Sequence, residues 1–142
     1  MKRDPRLQGL SSEHHQALVL ARSLRGLVRA GRADATAARA LAERFQRELE
    51  PHFRIEDEVL LPALREAGEG ALAERTAADH AFLRGHAATA GTGSAAGLGA
   101  FAERLAEHVR FEESELFPRC EACLSAATLD EVARRAPKVA PA

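Results

Sequence analysis

Two stretches of the chain repeat one pattern in one register, His52-x-Arg54-x-Glu56-x-x-x-Leu60-x-Pro62 and His108-x-Arg110-x-Glu112-x-x-x-Leu116-x-Pro118. The intervening positions also match in kind, Phe53 with Val109, Ile55 with Phe111, Asp57 with Glu113 and Leu61 with Phe117. Upstream of each copy an acid precedes a histidine, as Glu13-His14 and as Asp79-His80. Each half therefore supplies one histidine and then a His-x-x-x-Glu pair. Packed about a pseudo-two-fold axis, two such halves bring four imidazoles and two carboxylates into the middle of a helical bundle.

The residues around the repeat are helix formers. There are 31 alanines in the 142 residues, against twelve Val, Ile and Thr together, which favours helix almost everywhere and leaves no credible strand. Apolar spacing, caps and breakers predict four long helices over about Ser11–Arg29, Asp34–Glu66, Ala71–Ala90 and Leu98–Cys123. Ser11 or Ser12 is expected to cap the first helix. The stretch Gly91–Gly99 reads as a flexible loop, too glycine-rich for an ordered helix. Thr128-x-x-Glu131 fits a capping box and predicts a short fifth helix, with Pro137 and Pro141 ending regular structure. The expected fold is all-α, an antiparallel up-down-up-down four-helix bundle over about 10–124. A short C-terminal helix and tail over 125–142 complete a single domain, 1–142.

Heptad spacing predicts which side chains face inward. The stripe of the first helix is Leu10, His14, Ala17, Ala21, Leu24 and Val28. That of the second is Ala38, Ala42, Phe45, Leu49, His52, Glu56 and Val59. The third offers Ala73, Thr76, His80, Leu83, Ala87 and Ala90, and the fourth Leu98, Phe101, Leu105, His108 and Glu112. Each helix thus places a histidine on its inner stripe, and two add a glutamate one turn later.

Residues four apart on a helix point the same way, so His52 with Glu56 and His108 with Glu112 address one space. Burying two carboxylates costs several kcal/mol per charge without cations nearby, and the stripes carry no Lys or Arg. A metal is the compensator this pattern implies. Imidazoles with carboxylates suit iron, manganese or zinc, and helical bundles recurrently hold paired-metal carboxylate sites. The spacing is His-x-x-x-Glu, unlike the Glu-x-x-His of ferritin-like proteins.

The set His14, His52-x-x-x-Glu56, His80 and His108-x-x-x-Glu112, with a Leu/Phe-Pro element after each pair, resembles the hemerythrin-like (HHE cation-binding) domain family over nearly the whole chain. The resemblance implies an antiparallel four-helix bundle around two non-haem iron ions. One iron would take His14 and His52 and the other His80 and His108, with Glu56, Glu112 and an oxygen-derived species as bridges. Manganese or zinc could substitute. Animal hemerythrins carry a further histidine four residues after the third-helix ligand, where this chain has Arg84. Their last carboxylate is an aspartate five residues after its histidine, whereas Glu112 follows its histidine by four. A symmetrical four-histidine site with an open position on each metal is the expectation, and that argues against pure reversible oxygen carriage.

Other residues carry weaker readings. His15 shares a face with Arg22 and Arg29, so His14 is preferred as the ligand, with His15 either at the surface or supporting the site. His86 lies six residues beyond His80, on a different face, and reads as a surface histidine. Glu115 matches Val59 in the repeat and is either a partly exposed helix end or a carboxylate beside the site. Cys120-x-x-Cys123 reads as a structural pair, the spacing alone being weak evidence for redox or metal chemistry. Pro51 should kink its helix or remove a backbone bond, either widening the bundle at the metal or incidentally. Arg54 and Arg110 lie off the stripe and read as surface residues.

Composition removes several function classes. The 20 Lys+Arg against 21 Asp+Glu leave a net charge of -1, and with 4% aromatic residues and no Trp or Tyr the chain lacks a basic, base-stacking surface for nucleic acid. No apolar run approaches a membrane span and no signal peptide is visible, so a cytoplasmic protein with no membrane partner is expected. The expected activity is binding of oxygen or a related small oxidant, peroxide or nitric oxide, as sensor, scavenger or carrier. An enzyme turning over peroxide or nitric oxide is the alternative, disfavoured because no separate acid, base or nucleophile constellation is visible. A structural or zinc-binding bundle is the third reading. The sequence names no protein partner.

Overall fold

The computed structural model describes residues 2–88 and 95–137. It is helical, with no strand among the described residues. Helix α1 spans Gln8–Arg29. Helix α2 covers 35–66 as α-helical stretches Ala35–Arg44, Glu50–Ile55 and Leu61–Glu66, joined by π turns at Phe45–Leu49 and Glu56–Leu60. Helix α3 is Gly70–Ala88, and α4 covers 95–123 as Ala95–Phe111, a π turn at Glu112–Leu116, and Phe117–Cys123. Helix α5 is Ala126–Arg135. Helix α1 packs along α4, and α3 packs against both α4 and the end of α2.

Several expected boundaries are corrected. Helix α1 begins at Gln8 with no side-chain cap from Ser11 or Ser12. A preceding turn does the work instead: the amide of Leu7 donates to the carbonyl of Asp4, that of Gln8 to Pro5, and that of Arg6 to the Asp4 carboxylate. Helix α4 begins at Ala95, so Gly97 and Gly99 are helical despite their low propensity. Buried Leu98 and Phe101 anchor this turn, and a Cβ added at Gly99 would lie 4.0 Å from Val28 Cγ2. The remainder of the expected loop, Gly91–Ser94, lies outside the described residues, as do Ala90 and 138–142. Ser125, not Thr128, caps α5, its hydroxyl accepting from the Thr128 amide at 3.2 Å. Asp34 caps α2 in the same way through the Ala37 amide.

The π turns have one cause. At each, an amide reaches back five residues, Glu50 to Phe45, Leu61 to Glu56 and Phe117 to Glu112, and the next residue is Pro51, Pro62 or Pro118. Proline has no amide to donate and its ring crowds the carbonyl four residues back; widening the preceding turn by one residue relieves both. The extra residue shifts the inward face by one position. After Glu56 the buried stripe continues through Leu60, Leu61 and Leu64, leaving Val59 only half-buried, and after Glu112 through Leu116, Phe117 and Cys120. Val59 is thereby corrected as a core residue, and Glu115 is exposed, 3.3 Å from Arg75.

The apolar interior is in two parts. One joins Ala17–Leu24 of α1, Ala38–Phe53 of α2, Leu83 and Ala87 of α3, and Leu98–Val109 of α4. The other joins Leu7 and Leu10, Ile55–Leu64, Ala73, Phe111–Cys120, and Leu129, Val132 and Ala136 from the α5 region. In α1 and α3 the buried polar residues fall between these two groups in chain order, and in α2 and α4 the histidine and glutamate straddle the change from one group to the other. No helix among the described residues is long and apolar enough to cross a membrane.

Candidate metal centre

His14, His52, Glu56, His80, His108 and Glu112 are all buried, both glutamates completely so. They form two groups that share the glutamates, His14, His52, Glu56 and Glu112 in one and Glu56, His80, His108 and Glu112 in the other, with candidate ligand atoms in each within 4.8 Å of one another. The sequence places these side chains here through the inner stripes of α1 to α4. The π turns before Pro62 and Pro118 begin at the glutamates themselves, so the repeat delivers each carboxylate just before the helix changes register.

The carboxylates divide their oxygens between the two histidine pairs. Glu56 directs Oε2 to His52 Nε2 at 3.2 Å and Oε1 to His80 Nε2 at 3.0 Å. Glu112 directs Oε1 to His14 Nε2 at 2.8 Å and Oε2 to His108 Nε2 at 3.2 Å. Both oxygens of Glu56, Oε2 of Glu112, and Nε2 of His80 and His108 are buried without an aligned hydrogen bond. Buried polar atoms are almost always satisfied, so a converging set of unsatisfied donors fits a cation at their centre. Four nitrogens and two carboxylates are a donor set for iron, manganese or zinc.

Every imidazole is held from behind by a carboxylate. Nδ1 of His14 lies 2.6 Å from Glu113, of His52 2.9 Å from Glu13, of His80 2.7 Å from Asp57, and of His108 2.8 Å from Asp79. An ionised carboxylate only accepts, so Nδ1 carries the proton and Nε2 is presented toward the centre. Three of these acids are braced in turn, Glu113 by Ser11 and Arg3, Asp57 by Arg84, and Asp79 by Arg104. Phe117 stacks on His14 and Phe53 on His80, each at 13° between planes.

Burial alone would lower the pKa of these imidazoles, but the surrounding carboxylates reverse it. His52 rises well above its ordinary value, chiefly through the charge of Glu56, and His108 rises to about 10, chiefly through Glu112. His14 and His80 are raised as well, by hydrogen bonds with Glu112 and with Asp57. Glu113, pushed up by burial but pulled down further by His14, falls to about 2.

Residues 6–120 match the family model described as the Hemerythrin HHE cation binding domain. The chain belongs to the hemerythrin domain family. No curated protein and no solved structure matches it. Within this hemerythrin domain Arg84, four residues after His80, pairs with Glu50 and Asp57 and so braces the acid behind His80.

The six residues expected from the sequence lie together and buried, but sequence reading missed the outer acids. The information was present, because Glu13 and Asp79 precede histidines, while Asp57 and Glu113 follow the glutamates at matching points of the repeat. What was absent was the pairing between helices: each acid serves a histidine on another helix, Glu13 on α1 serving His52 on α2. His15, Arg54 and Arg110 are exposed. His86 is half-buried rather than a plain surface residue, stacked on Phe82 at 4.2 Å. Cys120 is buried and Cys123 half-buried, both unpaired thiols. Burial pushes the Cys120 thiol up, away from the reactive thiolate.

Proposed function

We propose that this hemerythrin domain holds two non-haem irons and binds oxygen or a related small oxidant as a sensor, scavenger or carrier. His14 and His52 would hold one ion, His80 and His108 the other, and Glu56 and Glu112 would bridge them. The observation that carries this reading is the split of each buried carboxylate, one oxygen toward each histidine pair, with atoms left unsatisfied between two apolar regions. Iron, once bound, supplies the one-electron chemistry that dioxygen, peroxide and nitric oxide require. The protein's own part is to fix the imidazole tautomers, to offset metal charge with two carboxylates, and to exclude bulk water with Phe53 and Phe117.

The antiparallel up-down-up-down arrangement belongs to the same proposal. It is supported by the order in which the two apolar regions draw on the helices, late α1 with early α2, late α3 and early α4. The free thiols support a reducing, cytoplasmic setting.

Elemental analysis of protein made with ample iron tests the reading. About two irons per chain are expected, falling below two in both Glu56→Ala and Glu112→Ala. Unchanged stoichiometry in both variants would sink the bridging assignment. A single zinc, or no uptake of ferrous iron on reconstitution, would favour the structural bundle.

A further inference from the structure

A cavity of about 170 Å³ opens beside the histidines between α1, α2 and α4. Its walls are mainly apolar, formed by Ala17, Leu20, Leu49, Phe53, Leu105 and Val109, with the uncharged Gln16 beside them. Leu49 belongs to the π turn ahead of Pro51, so the cavity runs along the helix where its backbone is widened. At its inner end lie His14, His52 and His108. Phe53 is part of the wall and stacks on His80 at 4.1 Å, its ring screening that histidine. At the outer end Arg44 and Glu48 form an ion pair at 2.6 Å, with Arg47 more exposed beside them.

Volume and wall chemistry together limit what can enter. An engineered apolar cavity of about 150 Å³ stays dry and takes up benzene, so this space is far larger than a diatomic needs. A charged ligand would lose its hydration against Leu20, Leu105 and Val109 with nothing there to replace it. Among the described residues, the titratable groups at the inner end are the imidazoles and Glu13, the last already directed at His52. Arg44 is committed to Glu48 at the mouth.

We propose that this cavity is a binding site for a small uncharged organic molecule with an apolar body of about six or seven heavy atoms, seated beside the His14/His52 pair. The site rests on the proposed metal centre only for what its inner end touches. It sets His80, behind the Phe53 ring, apart from His14, His52 and His108, which line its inner end. A molecule seated here would control what reaches the centre from this side, and would itself be the compound nearest to it.

Fluorine NMR titration of fluorobenzene into the full chain tests the site, with and without iron, and with metal content measured on the same samples. Saturable shift and broadening are expected in wild type. Ala17→Leu, which fills the cavity from α1, should weaken binding at least tenfold while metal per chain stays at the wild-type value. Leu20→Phe serves the same purpose should Ala17→Leu not fold. Benzoate, the same ring with a charge, should bind at least tenfold more weakly than fluorobenzene. Absence of saturable binding in wild type overturns the proposal, as does undiminished binding in a folded cavity-filled variant. Tighter binding of benzoate also overturns it and points to an anion site at Arg44 and Arg47. Fluorobenzene bound by a chain that takes up no iron supports the cavity and removes the metal reading, so the two fail separately.

Discussion

At the scale of the residue, the centre depends on acids that touch no candidate ligand atom facing the metal. Asp79 holds His108 from behind and is itself held by Arg104, so its loss frees the imidazole to rotate or change tautomer. Asp79→Asn and Glu113→Gln should each weaken metal binding about 10–100-fold while the protein stays helical. Competition against a chelator, read beside circular dichroism, measures both quantities; affinity unchanged in both variants would mean that these acids do not orient the imidazoles for metal. The six inner residues were legible from spacing, because residues four apart share a helix face whatever the helix packs against. Their outer partners were not, because Glu13 with His52 and Asp79 with His108 join residues from different helices, a relation that one helix's period cannot express.

At the scale of the element, prolines and caps decide where helices start, widen and stop. Ser125 accepts the Thr128 amide, so Ser125→Ala should cost about 1 kcal/mol. Thr128→Ala, which leaves that cap in place, should cost less; chemical denaturation of the two variants ranks them, and the reverse order would restore Thr128 as the cap. Gly9 of α1 lies where an added Cβ would be 2.4 Å from the Pro137 carbonyl. Gly9→Ala should gain helix propensity yet lose about 1–3 kcal/mol through the clash. A lower Tm with faster proteolysis after residue 125 is expected, and a raised Tm would show that the segment following α5 shifts freely. Helix existence was readable from composition and apolar period, but the heptad reading failed at Val59. Prolines at Pro62 and Pro118 widen the turn before them, and one added residue rotates everything beyond.

At the scale of the whole molecule, a charged layer is set between two apolar regions, and its protonation is linked to stability. In the metal-free protein His108 is raised from 6.5 to about 10. A group raised on folding contributes stability that is full below its unfolded value and lost as pH rises through its folded one. Metal-free protein should therefore lose thermal stability as pH rises from about 6.5 through about 10, while Glu113, held at about 2, stays ionised throughout. Metal binding must displace imidazole protons, so loading near neutral pH should release protons and lift the Tm. Thermal melts with chelator across this range, and calorimetry in buffers of different ionisation enthalpy, measure the two effects. A metal-free Tm flat across the window, with no proton release, would contradict imidazolium in the empty centre. The sequence alone determined the helical class, the family and the six inner residues, since alanine content, helix period and an in-register repeat are local properties. Only the tertiary structure decided which acid braces which histidine, how each glutamate divides its oxygens, and that a benzene-sized cavity reaches His14, His52 and His108, since these depend on distances between helices that no single helix encodes.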